Sequence, residues 1–265
     1  MKAPWRWIFA LALASALAIA ALGLRPASST LVRNQSSRLD TFEVGTGRLP
    51  LILLHGYAAE AREWLPFSQT IAVHDNRRFV FPQAPEETVP PDGPTGKYGW
   101  WRLDLGSYRV GTNGHSYPDM HAAQPAGLAK SAAKVRLLIA DLHHREPFAT
   151  TRVILGGFSQ GAMIAAEVAF RTAEPLQAVI LLSPTFVDEQ RWMEGMPHRK
   201  GLPVFISHGR RDDVLPFAAS ERLAKAMEDA GLKVTWVPFD GVHETPASVV
   251  TELNKFLAEV DPGER

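Results

Sequence analysis

Apolar runs and helical stretches alternate along the second half of this 265-residue chain, and that order constrains its fold more than any other feature. Val153 to Gly156 precedes a helical pattern over about 160 to 172. Val204 to Ser207 precedes one over about 217 to 230, and Val234 to Pro238 one over about 246 to 259. Ala178 to Leu182 is a further run, and Leu49 to Leu54 is unbroken, as a strand buried on both faces requires. Strands that each lead into a helix pair in parallel, with the helices covering both faces of the sheet. Thr41 to Val44 alternates like a half-buried edge strand, and Arg78 to Phe81 reads as a short strand stopped by Pro82. Gly127 to Arg145 is helical, because Leu128, Ala132, Val135, Leu138 and Leu142 recur at three- and four-residue spacing. Pro82 to Pro125 is rich in Pro, Gly, Trp and Tyr and lacks a period, and a connection that long is expected to form a lid or a binding wall. The expectation is one α/β domain over residues 41–260, with a mostly parallel sheet.

Lys2 and Arg6 precede Trp7 to Leu24, an uncharged apolar run closed by Arg25-Pro26. A basic start followed by an apolar core reads as an export signal or a membrane anchor over residues 1–28. As a helix the run would span about 27 Å, close to the thickness of the bilayer's hydrocarbon core. Small residues at Ala18, Ala20 and Ala27 offer cleavage sites, and residues 29–40, rich in Ser and Arg, read as a tether. The expected partners are therefore export machinery or a membrane, and the expected location is outside the cytoplasm or on the membrane. Acidic and basic residues balance at 28 each, so no net field draws the chain to nucleic acid. With no cysteine there is no disulfide, thiol nucleophile or thiolate metal site.

In such sheets ligands bind beyond the carboxyl ends of the strands. The residues found there are His55-Gly56-Tyr57, Pro82 to Pro85, Gly157-Phe158-Ser159-Gln160-Gly161, Ser183-Pro184, His208 to Asp213 and Asp240 to Glu244. Glycines two before and two after Ser159 let a strand turn sharply into a helix, exposing the hydroxyl. A serine, an acid and a histidine occur in that chain order, each just past a strand, which is the order used by strand–turn–helix serine hydrolases.

Of nine histidines, only His243 lies after the acid, in a Gly-containing loop between the last strand and the last helix. His55 and His208 precede glycines at strand ends and read as structural hydrogen-bonders, while His143 and His144 fall at a helix end, where the dipole favours them. Asp212 is the first choice of acid, being nearer the strand end, with Asp213 and Asp188 as alternatives. In these roles His243 takes the Ser159 proton as the hydroxyl attacks a carbonyl, and Asp212 fixes the imidazole tautomer. The backbone N–H groups of Gln160 and Tyr57 are the expected donors to the oxyanion. His115, Asp119 and His121 carry suitable metal-ligand types, but their spacing matches no zinc pattern and no metal is expected.

These motifs resemble the α/β-hydrolase superfamily, and within it the phospholipase/carboxylesterase family that includes acyl-protein thioesterases. The likeness covers roughly residues 49 to 258. It rests on Leu53-Leu54-His55-Gly56, Phe81-Pro82-Gln83-Ala84-Pro85, Trp100-Trp101-x-x-Asp104, the Ser159 pentapeptide, His208-Gly209-x-x-Asp212 and Gly241-x-His243-Glu244. It implies that Ser159, Asp212 and His243 form the triad, that Tyr57 and Gln160 form the oxyanion hole, and that Trp100 and Trp101 help to wall an acyl site. It also implies a small ester or acyl substrate and no cofactor. The chain departs from the family at Ala162, often glycine there, and in the segment from Gly111 to Gln124. The reading is a carboxylesterase or lysophospholipase. A thioesterase, or a triad-bearing protein that only binds, is the alternative.

Overall fold

Leu49–Leu54 and Val153–Phe158 are buried along their whole length, and in the computed structural model of the chain they lie side by side at the centre of an eight-stranded sheet. The structure describes residues 28–71, 77–88, 97–103, 120, 122–145 and 152–261. The strands are β1 (Thr30–Arg33), β2 (Asp40–Val44), β3 (Leu49–Leu54), β4 (Arg77–Pro82), β5 (Glu86–Thr88), β6 (Lys97–Gly99), β7 (Val153–Phe158), β8 (Leu176–Leu182), β9 (Pro203–Gly209) and β10 (Lys233–Phe239). The helices are α1 (Phe67–Thr70), α2 (Ala126–Arg145), α3 (Gln160–Arg171), α4 (Glu189–Gly195), α5 (Phe217–Asp229) and α6 (Ala247–Val260). The large sheet has the order β1-β2-β4-β3-β7-β8-β9-β10, parallel from β4 to β10, with β2 antiparallel to both β1 and β4. A separate antiparallel pair, β5 and β6, lies within the stretch read as an irregular connection.

Side chains alternate across the central strands and build two cores. Val153 and Leu155 of β7, with Val179 and Leu181 of β8, face one core together with α2, α3 and α5. Ile154, Ala178, Ile180 and Leu182 face the other, filled by Phe79, Phe81, Phe205 and the Val249, Leu253 and Phe256 face of α6. The helix after β7 has almost no exposed face, because α3 packs on β7, β8, α2 and α4 at once. A helix apolar all round is stable only in such a place.

Two expectations are corrected at the amino-terminal side. Residues 30–33, expected within a tether, form β1 and pair with β2, so Thr41 to Val44 is an inner strand rather than an edge. The turn between them is held locally and at a distance. Asn34 Nδ2 donates to the Leu39 carbonyl at 2.9 Å, and the Asp141 carboxylate of α2 accepts from the Ser36 and Ser37 N–H groups at 3.1 and 3.0 Å. Burial works to raise the Asp141 pKa, and the hydrogen bonds from Ser36 and Ser37 outweigh it and hold the group below the usual carboxylate range. These are contacts across more than a hundred residues, which composition cannot reveal. The apolar run over residues 7–24 lies outside the described residues, and among the described ones no helix is long and apolar enough to cross a membrane.

Candidate active site

Ser159 caps the start of α3 with φ 54° and ψ −120°, a backbone conformation that side chains seldom adopt. The turn survives because its neighbours leave no alternative. The Ser159 N–H donates to the Leu182 carbonyl at 2.8 Å, and the Met163 N–H returns to the Ser159 carbonyl at 3.2 Å. A Cβ at Gly157 would stand 2.7 Å from the Ala162 nitrogen, and one at Gly161 would stand 2.6 Å from the His55 carbonyl oxygen. Both flanking glycines of the pentapeptide are thus required by close approach of backbone to backbone. The turn carries a half-buried serine at the carboxyl edge of the sheet.

On the same edge, His243 Nδ1 lies 2.7 Å from Asp212 Oδ2, and the His243 ring rests 4.7 Å from the ring of Phe158, the residue before Ser159. Asp212 is enclosed, with a side-chain exposure of 0%, and all its acceptor directions are used. Oδ1 accepts from the Val214 and Leu215 N–H groups, each at 2.8 Å, and Oδ2 meets His243 and, at 3.0 Å, His208 Nε2. Burial alone would raise its pKa. The charges and hydrogen bonds of His243 and His208 outweigh that and hold it well below the usual carboxylate range. The two competing acids do not meet His243. Asp188 binds Gln124 at 3.0 Å and Arg191 at 3.3 Å, and Asp213 buries Oδ1 without a hydrogen-bond partner among the described residues. The loops of Asp212 and His243 can approach because Gly209 has no side chain, and a Cβ there would stand 2.5 Å from the Gly241 carbonyl oxygen.

Tyr57 follows Gly56, whose Cβ position lies 3.4 Å from Ser159 Cβ, so the His-Gly turn runs directly against the serine. Gln160 opens α3, and its buried amide does work that the motif does not announce. Its Oε1 accepts from the Trp100 N–H at 2.7 Å and its Nε2 donates to the Trp101 carbonyl at 2.9 Å. Trp100 has no exposed surface, its indole N–H donates to the His55 carbonyl at 2.8 Å, and Trp101 is 4% exposed. A buried indole needs an acceptor, and the acceptor available here lies inside the fold. Trp100 and Trp101 brace the serine turn and the His-Gly turn from behind.

His55 completes that brace. Its Nε2 faces two donors, the Ala84 N–H and Gln83 Nε2, both at 3.1 Å, so the proton sits on Nδ1, 2.7 Å from the Gly56 carbonyl. Burial lowers its pKa to about 4, only partly offset by the Gly56 carbonyl. The folded chain therefore refuses a proton that the unfolded chain accepts below its ordinary 6.5. The resulting stability is complete above that value and is lost as pH falls toward about 4, by about 3 kcal/mol in all. Urea titrations of the wild type and His55→Gln at pH 7 and pH 4.5 test this. The loss between the two pH values should be about 2 kcal/mol smaller in the variant, and equal losses would refute the assignment.

The profile of the phospholipase/carboxylesterase family matches residues 47–261. The chain belongs to this family. Acyl-protein thioesterase 1 of Emericella nidulans is 25% identical over 222 residues, covering 81% of this chain and 91% of that protein. The solved esterase PE8 superposes with a TM-score of 0.69 at 26% identity, covering 88% of this chain and 99% of its own. A carboxylesterase from Mesorhizobium loti, at 14% identity and a TM-score of 0.65 over 87% of this chain and 98% of its own, shares the fold. The fold is that of the α/β hydrolases, and the family is one of esterase- and thioesterase-type hydrolases. Of the family motifs read from the sequence, Asp104 lies outside the described residues, as do His115, Asp119 and His121 of the metal alternative.

Proposed function

We propose that this family member hydrolyses carboxylic esters of acyl groups through Ser159, His243 and Asp212. The observation that carries the reading is the 2.7 Å His243–Asp212 contact beside a serine held on a φ 54° turn. With Asp212 accepting the Nδ1 proton, His243 Nε2 keeps its lone pair and serves as the base. As Ser159 Oγ bonds the acyl carbon, His243 takes its proton, and the carbonyl oxygen becomes an oxyanion. The Gln160 N–H, first in its helix and without an intrahelical acceptor, and the Tyr57 N–H are the donors proposed for it. Collapse breaks the bond to the leaving oxygen, which receives the proton from His243. Water then repeats the sequence on the acyl-enzyme and releases the acid. Thioesters are the second reading, favoured by relatives named acyl-protein thioesterase 1.

The test uses the full chain in detergent with a fluorophosphonate probe, p-nitrophenyl esters from acetate to palmitate, and the matching acyl thioesters. Labelling at Ser159 with faster ester turnover supports the first reading, and faster thioester turnover the second. Labelling without turnover of either would turn the protein into a binder, and absence of labelling would sink the hydrolase mechanism. We also propose that the 7–24 segment exports or anchors the chain. Cell fractionation with sequencing of the mature amino terminus tests that, and a soluble cytoplasmic chain starting at Met1 would contradict it.

A further inference from the structure

His208 lies inside the fold with no exposed surface and is not used by the proposed reaction, yet it touches the acid of the triad. Proton accounting around its ring gives an unusual result. Nε2 stands 3.0 Å from Asp212 Oδ2 and 3.1 Å from the Leu215 carbonyl oxygen. Both are acceptors, so Nε2 carries a proton. Nδ1 stands 2.8 Å from Ser220 Oγ on α5. Ser220 has one hydroxyl proton, and its oxygen lies 2.6 Å from the Pro184 carbonyl, which can only accept. That proton is spent on Pro184, and Ser220 is left with lone pairs to offer His208. An unprotonated Nδ1 would set lone pair against lone pair, either at Ser220 or between Ser220 and Pro184. The same accounting gives His55 one proton and gives His208 two.

We infer that His208 is a buried imidazolium paired with the Asp212 carboxylate, and that it acts as a positioning residue that sets the charge felt by His243. The inference rests on the triad reading for its consequence and on geometry alone for the protonation. A buried cation is tolerated only when it is paired and its protons are bonded. Here Asp212 supplies the charge, and the Leu215 carbonyl and Ser220 hydroxyl supply the acceptors. The charged and titratable groups around the ring come from several elements. Just after β9, which carries His208, Asp212 meets the ring, and the β10–α6 loop presents His243 on the other side of Asp212. From α5, Phe217 lies 6.0 Å away, with the Arg210 guanidinium 5.0 Å from that ring. The sum over His208, Asp212 and a neutral His243 is then zero rather than minus one. The His208 cation thereby offsets the attraction that Asp212 exerts on a proton at His243.

Removal of the cation should therefore move the acidic limb of the kcat/KM profile upward. For His208→Gln, assayed as the full chain on a p-nitrophenyl ester, the expected rise is about half a pH unit or more. A merely structural role gives the opposite sign, because loosened Asp212 would leave His243 without its carboxylate and drop the limb. An unchanged or lowered limb overturns the proposal. The second measurement needs no turnover. Long-range proton–nitrogen NMR of the wild type at pH 7.5, with His208 assigned through Ser220→Ala, should show both ring nitrogens protonated. One unprotonated nitrogen overturns the inference even if His208→Gln does not fold. Failure of the hydrolase reading would appear separately, as a wild-type Ser159 that takes no fluorophosphonate.

Discussion

Ser159→Ala is expected to lower kcat for ester hydrolysis by about 10⁶-fold, the scale of a triad nucleophile knockout, and to abolish fluorophosphonate labelling. The size follows from the division of labour at the turn. Oxyanion donors and substrate contacts would survive, but no group is left to form the acyl bond, and only direct attack by water remains. Stability should change little, because alanine inherits the φ 54° backbone whose strain the flanking contacts already hold. Single-turnover kinetics with a thermal melt check both halves. A loss of less than tenfold with the fold intact would remove Ser159 from the mechanism.

Asp212→Asn should cost about 10⁴-fold in kcat, as expected when the orienting carboxylate of a triad becomes an amide. The structure explains why no rotamer rescues it. Oδ1 takes two backbone N–H groups and Oδ2 two imidazoles, and an amide has one oxygen to share among the four. If the oxygen stays with Val214 and Leu215, the NH₂ faces His243 Nδ1 and drives the ring to the tautomer whose Nε2 cannot accept the Ser159 proton. If the amide flips, two backbone donors meet an NH₂ inside the fold, at about 1–3 kcal/mol for each unsatisfied group. Activity below the wild type by less than a hundredfold would show that His243 is oriented by something else.

What could be read from the sequence was what neighbouring residues decide. The unbroken run at Leu49 to Leu54 and the run opening at Val153 gave the sheet centre, and the pentapeptide gave the turn, because Gly157 answers to Gly161 and Ala162, four and five residues on. Asp212 could be ranked above Asp213 by its closeness to the strand end, and its contact with His243 has that geometry. Long-range partners decided the rest. Nothing near Ser36 announces Asp141, so β1 passed for a tether. Nothing beside Trp100 and Trp101 reveals that Gln160, about sixty residues on, ties down their backbone. His208 was legible as a hydrogen-bonder and no further, since its second proton depends on Ser220 and, through it, on Pro184. A carbonyl contact of that kind leaves no mark in composition or periodicity.

The small strand β1 also fixes an orientation. It is antiparallel to β2, and β2 to β4, so β1 runs the same way as the parallel strands whose carboxyl ends lead to Ser159, Asp212 and His243. The chain thus arrives at Thr30 from the rim of the sheet opposite those three residues. Thr30, where the described chain enters the sheet, and Ser159 therefore lie at opposite rims.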